Sequence, residues 1–257
     1  MSTNVLVITG MHRSGTSLVA HYLSQCGLNI GDNLFNPHIS SPDQSCAGHH
    51  EDLDFINWHK QVFKRCRIDD DALLISGSEL PLTINTAERA AALKLLAHRA
   101  DWPQWGWKDP RTTLFLAFWH ELIAEAKYLF PFRQPLAVVD SIVRRGNEKP
   151  IVRKPIIGLR VWTIYNQQIL NFAKQHPDSS LLCDIDDLIT SSDHLLARLE
   201  AMGMDLTPAR LEDIFSKKAF HNEPSDKVKK MAVKHPQAVA EAEALYQELQ
   251  ALCKAAA

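Results

Sequence analysis

The stretch Val5-Leu6-Val7-Ile8-Thr9-Gly10-Met11-His12-Arg13-Ser14-Gly15-Thr16-Ser17 decides how this chain is read. It opens on four apolar residues, three of them β-branched, the pattern of a strand buried on both faces as in parallel sheets. A turn with two glycines follows. From Ser17 to Cys26 the apolar residues Leu18, Val19, Tyr22 and Leu23 recur at helical spacing, and Gly27 stands where a helix ends. Strand, glycine-containing loop and helix together open a βαβ unit.

The alternation continues downstream. Residues 31–50 are polar and turn-forming, a loop long enough to be functional. Helical patterns follow over 52–63 and, behind the capping-box pair Asn85 and Glu88, to about Ala100; residues 70–84 between them are irregular. A helix is predicted over 113–125, a strand over 127–130, and a helix that starts at Pro135 and runs to Arg145. Helix 156–173, strand 181–185, helix 192–202 and helix 236–254 complete the pattern, with an exposed basic segment at 227–235. The expectation is an α/β chain: one domain over 1–257, three layers, a central parallel sheet flanked by helices.

With 28 basic and 30 acidic residues the net charge is −2, which excludes a dedicated nucleic-acid binder and makes any anion site local. At 46% hydrophobic and 23% charged residues, disorder and collagen-like structure are excluded as well. Cys26, Cys46, Cys66, Cys183 and Cys253 are widely spaced with no C-x-x-C pair, the usage of reduced cytoplasmic thiols. No apolar run approaches the roughly 18 residues of a membrane span, and no signal segment is legible, so a cytoplasmic chain without stable membrane insertion is expected.

The loop from Gly10 to Ser17 has the G-x-x-x-x-G spacing of a Walker A loop, followed by Thr16-Ser17 in place of Lys-Ser. The physics of such a loop survives the change. Backbone N–H groups curl around an anion, the helix aims its positive end at it, and the hydroxyls of Ser14, Thr16 and Ser17 add donors. The cation has moved from the end of the loop to Arg13. Loss of the lysine that reaches nucleotide β- and γ-phosphates argues against ATP hydrolysis and leaves phosphate binding intact.

Arg13-Ser14-Gly15-Thr16-Ser17 behind a buried strand resembles the 5′-phosphosulfate loop of the sulfotransferases that use 3′-phosphoadenosine 5′-phosphosulfate (PAPS), and the three-layer fold expected here is then their P-loop-like one. A second match is Arg133 at the end of a strand with Ser141 eight residues later on the next helix, similar to that family's 3′-phosphate site. A strand-end guanidinium and a helix hydroxyl suit one phosphate. The segment Lys108-Asp109-Pro110-Arg111 resembles one found at a strand end in bacterial and carbohydrate sulfotransferases. The resemblance implies that Lys108 faces the phosphosulfate and stabilises the leaving phosphate, while Asp109 and Arg111 pair locally to fix the turn. Cys183-Asp184 departs from the family's pattern in a strand read as architectural. The family's C-terminal basic, glycine-rich segment has no counterpart.

Transfer of a sulfuryl group needs an acceptor in line with the S–O bond, a group to take its proton, and positive charge on the leaving phosphate. Gly48-His49-His50-Glu51-Asp52 is the densest set of proton-transfer groups, and it resembles the stretch carrying the glutamate base in members without a histidine base. Glu51 is assigned as base, with His50 the alternative; the competing reading is that Glu51 or Asp52 caps the next helix. The histidine spacing is not that of metal ligands on a helix face, and no metal is expected. The basic tract Arg144 to Arg160 reads as a solvated helix face. The activity implied is transfer from PAPS to an acceptor hydroxyl or, second, amine, carbohydrate among the classes. Two alternatives stand beside it: a kinase using ATP and Mg²⁺, and a nucleotide-binding protein without turnover.

Overall fold

A computed structural model describes residues 4–35, 50–214 and 223–255. Most of the polar stretch 31–50, with Gly48, His49 and Cys46, lies outside the described residues. The chain runs β1 (Asn4–Ile8), α1 (Thr16–Gln25), β2 (Leu34–Phe35), β3 (Glu51–Asp52), α2 (Leu53–Cys66), α3 (Thr86–His98) and β4 (Gln104–Lys108). A 3-10 turn over Pro110–Phe115 leads into α4 (Leu116–Leu122), then β5 (Lys127–Phe132), α5 (Pro135–Arg145), α6 (Lys149–Arg153) and α7 (Ile156–Gln175). It finishes with β6 (Ser180–Asp184), α8 (Ile185–Thr190), α9 (Asp193–Ala201), α10 (Asp226–Lys234) and α11 (Pro236–Ala255).

Four strands form a parallel sheet in the order β4-β1-β5-β6. Alternation along each strand divides the core in two. Val5 and Val7 of β1 and Tyr128, Phe130 and Phe132 of β5 face a layer that includes α2, α4, α7 and α11. Leu6, Ile8 and Leu129 face a layer built on α1 and α9. The expected three-layer α/β fold is therefore present. Helices cover both faces because strands this apolar on both sides leave neither face fit for water. Among the described residues no helix is long and apolar enough to cross a membrane.

The order also places a crevice. From β1 the chain moves to β4 on one side; from β5 it moves to β6 on the other. In such sheets ligands bind beyond the carboxyl ends of the strands where the direction of winding reverses, here between β1 and β5. Their pairing stops at Ile8 opposite Leu129, after which only Thr9 N–H reaches the Leu129 carbonyl, at 3.0 Å.

Three local expectations are corrected, and one strand is added where none was expected. The strand read as 127–130 extends through Pro131 to Phe132: Pro131 pairs with Cys183 on the β6 side, while β1 has already turned away on the other. The helix read as 113–125 is a 3-10 turn and a short α-helix, because Asp109 caps a turn beginning at Pro110 and accepts from Arg111 N–H at 3.0 Å. The segment at 104–108 is a fourth strand. The basic segment 227–235 is a helix: its lysines are exposed, but Val228 and Met231 are buried.

Candidate active site

The loop after β1 folds as its glycines require. Gly15 caps α1 at φ 85°, and a Cβ there would lie 2.6 Å from Ile185, the first residue after β6. Gly10 sits where β1 and β5 part; its Cβ would meet the Pro131 carbonyl oxygen at 2.5 Å. Both positions exclude a side chain, so backbone approaches the anion closely. The first turn of α1 carries no acidic residue, which leaves its positive end open to an anion. Thr9 ties this loop to the end of β4: its hydroxyl donates to the Asp109 carbonyl at 2.9 Å and meets Thr113 Oγ1 at 2.8 Å.

The two segments expected to hold phosphates meet. Arg13 Nε donates to Ser141 Oγ at 3.0 Å, joining the loop after β1 to α5 across 128 residues of sequence. Arg133, at the end of β5, is buried and its backbone carbonyl accepts from the Trp162 indole at 3.1 Å. Burial lowers the Arg133 guanidinium to about 10, Arg13 adding to the shift while Asp186 and Asp140 oppose it. A buried guanidinium with a second one near enough to lower it makes a place for an anion. Ser14 adds to it: its hydroxyl is buried with no partner among the described residues. Arg13, Arg133 and Ser141 thus come together, and Ser14, Gly15, Thr16 and Ser17 follow Arg13 in the loop and the first turn of α1.

The predicted proton-transfer groups lie on its far side. Lys108, the last residue of β4, donates from Nζ to Glu51 Oε1 at 2.7 Å, and both side chains are buried. Arg111 approaches the other carboxylate oxygen of Glu51 at 3.9 Å. The helix-cap role falls to Asp52, whose carboxylate accepts from Asp54 N–H at 2.9 Å and pairs with buried Arg99 at 2.7 Å. Asp32, Asp52 and Asp54 cluster as metal ligands might be imagined to, but the Arg99 guanidinium occupies their centre. His50, at φ 50°, stacks its ring on His21 of α1, with centroids 4.4 Å apart.

Asp109 and Arg111 do pair, at 2.8 Å, and they belong to a longer chain. Trp119 Nε1–H donates to His59 Nε2 at 3.1 Å, and His59 Nδ1 lies 2.8 Å from Asp109 Oδ2. With Nε2 accepting, the proton sits on Nδ1 and the ring is neutral, in keeping with burial, which holds the His59 imidazole below its ordinary value. Asp109 in turn holds Arg111, whose other nitrogens reach Asp71 and the Asp70 carbonyl. Against its burial, Arg111 and His59 hold the Asp109 carboxyl far below the usual carboxylate range. This relay fixes Arg111 beside Glu51. His59, Asp71 and Trp119 were not singled out by sequence. His59 is masked there by the apolar face of α2, while the triple acid Asp69-Asp70-Asp71 in an irregular stretch was a visible signal.

Several known proteins resemble the chain. The model of the sulfotransferase family matches residues 6–185. No curated protein matches it in sequence. A sulfotransferase from Mycobacterium avium superposes with a TM-score of 0.53 at 10% identity, covering 99% of this chain and 76% of the other. A sulfotransferase from Alicyclobacillus acidocaldarius does so with a TM-score of 0.50 at 13% identity, covering 95% and 96%. At such identities these likenesses concern the fold. The family match spans most of the chain, from β1 to the end of β6, and takes in Arg13, Arg133, Ser141 and the Lys108–Glu51 pair. The chain belongs to the sulfotransferase family.

Proposed function

We propose that this chain transfers a sulfuryl group from PAPS to an acceptor hydroxyl or amine, releasing adenosine 3′,5′-bisphosphate. The observation that carries the reading is the Arg13–Ser141 hydrogen bond, which joins the loop that resembles a 5′-phosphosulfate loop to the helix that carries the proposed 3′-phosphate anchor. The orphaned Ser14 hydroxyl and the Arg133 guanidinium, lowered by burial and by Arg13 beside it, support an anionic ligand there. In this reading the loop Arg13 to Ser17 holds the phosphosulfate, and Arg133 and Ser141 hold the 3′-phosphate.

The Lys108–Glu51 pair supplies the chemistry. With no anion bound, each charge neutralises the other. An incoming phosphosulfate competes for Lys108, whose ammonium then stabilises the charge that builds on the leaving phosphate. Glu51, released from the lysine, takes the acceptor's proton. The acceptor-to-sulfur bond forms as the bond from sulfur to the 5′-phosphate oxygen breaks, and the electron pair leaves with the phosphate. No metal enters the scheme. The thiols of Cys26, Cys66, Cys183 and Cys253 are free, as a cytoplasmic setting would keep them.

One experiment with two arms tests this reading. Calorimetry should find adenosine 3′,5′-bisphosphate bound equally with EDTA and with Mg²⁺, and bound more tightly than ADP. Transfer from labelled PAPS should fall by roughly 10²–10⁴ in Glu51→Gln, with affinity for the bisphosphate kept or raised, since Lys108 no longer has a carboxylate to leave. A strict Mg²⁺ requirement with preference for ATP would favour a kinase instead. Tight binding of the bisphosphate with no turnover would favour a binding protein.

A further inference from the structure

We propose that His12 grips the acceptor oxygen: Nε2–H donates to one lone pair of the attacking hydroxyl, so that the site selects hydroxyl acceptors over amines. The proposal rests on the sulfuryl-transfer reading above and concerns a residue to which that scheme gives no task.

His12 directly precedes Arg13, so it stands beside whatever the loop holds. Its Nε2 is buried and has no hydrogen-bond partner among the described residues. A buried ring nitrogen left without a partner costs free energy unless a ligand supplies one. The ring lies edge-on to Tyr165, with centroids 6.3 Å apart, and the Tyr165 hydroxyl donates to the Asp71 carbonyl at 3.3 Å. Asp71 pairs with Arg111, and Arg111 stands 3.9 Å from Glu51. His12 thus belongs to the loop on one side and lies, through Tyr165, near the Asp71–Arg111 pair on the other, within reach of the charges of Arg111, Asp71 and Glu51; in the proposal the attacking atom sits between these groups.

The charge state suits a neutral donor. Burial, reinforced by Arg111, holds the His12 imidazole below its ordinary value, against the carboxylates of Asp71, Glu51 and Asp109. A neutral ring with its proton on Nε2 offers one donor and no charge. A hydroxyl oxygen has one proton and two lone pairs. With the proton directed to Glu51 and one lone pair to His12, the remaining lone pair is free to attack sulfur. On deprotonation the new S–O bond uses that lone pair, the proton goes to Glu51, and His12 remains neutral throughout. A neutral amine has a single lone pair. Held by the same donor, that pair is unavailable to sulfur.

The test uses acceptors of matched skeleton, benzyl alcohol with benzylamine and glucose with glucosamine. Label transfer from PAPS is measured for the wild type and for His12→Ala, His12→Asn and His12→Gln, with the affinity of each protein for adenosine 3′,5′-bisphosphate. A glutamine amide reaches the position of Nε2 and an asparagine amide that of Nδ1. The expected result is transfer to oxygen. His12→Ala and His12→Asn should lose at least about tenfold in kcat/KM for the acceptor, His12→Gln should keep most of it, and bisphosphate affinity should be the same in all four. Transfer to nitrogen in preference to oxygen, unchanged kinetics in His12→Ala, or bisphosphate affinity falling in step with kcat/KM would each overturn the assignment while leaving sulfuryl transfer standing. A wild type that fails to bind the bisphosphate, or binds it and sulfates no acceptor, would overturn the parent reading and this one together.

Discussion

Arg133 holds a charge where a folded chain would not ordinarily keep one. The residue is 4% exposed and its guanidinium is lowered to about 10, by burial before all else. A base with a lowered value in the folded state favours unfolding wherever it is charged, so at neutral pH the cation costs stability. Arg133→Gln should therefore raise the melting temperature of the ligand-free protein by about 2–4 °C for each kcal/mol recovered. The same change should weaken adenosine 3′,5′-bisphosphate binding at least about tenfold. Thermal scans with and without the bisphosphate check both halves, and an unchanged or lower ligand-free melting temperature would contradict the argument. The spacing of Arg133 and Ser141 was legible in sequence. That Arg13 is the residue bonded to Ser141 was not, because nothing local in the sequence relates α5 to the loop after β1. Asp52 was likewise hard to separate from Glu51: adjacent carboxylates look alike until one is seen to accept the α2 N–H and the other to hold Lys108.

At the scale of elements, the contact of β1 with β5 governs the crevice. Gly10 leaves no room for a Cβ, which would press on the Pro131 carbonyl at 2.5 Å with backbone on both sides. Gly10→Ala must part the two strands, at a cost of about 1–3 kcal/mol, the usual range for overpacking. It should also draw the loop away from Arg133. Urea denaturation should show the lost stability and calorimetry a weakened bisphosphate; a variant as stable as the wild type would refute the close approach. The helices were largely readable, since α1, α5 and α11 carry clear periodicity and glycine or proline boundaries. The strands were less so. Gln104–Lys108 holds two tryptophans and a glycine, which mimic a turn, and Pro131 truncated the reading of β5 because proline rarely continues a central strand.

Across the whole molecule, buried imidazoles set the response to acid. His12, His21, His59 and His120 are all held below the ordinary histidine value, by burial first in each case. Unfolded, each binds a proton near pH 6.5; folded, only at lower pH. Between those limits the unfolded chain carries more protons, so stability falls as pH drops below 6.5. Fully buried His59 contributes at most about 1.4 kcal/mol per pH unit in that window. Asp109 acts lower down: its depressed carboxyl stabilises the fold above the unfolded value near 3.9, and that support is lost only as pH falls below it. The urea midpoint should be lower at pH 5.5 than at pH 7.5, and equal midpoints would count against the assignment. Pro131 has a different reach. The Leu129 carbonyl bonds toward β1, so residues two apart along β5 turn the same way, and the amide proton that proline lacks is one that would have faced β1. No donor is stranded where the sheet divides, so the ladder is complete before any ligand arrives. For the proposed nucleotide this means that no rung of the sheet has to break on binding, and its capture should have the kinetics of an encounter between two preformed bodies.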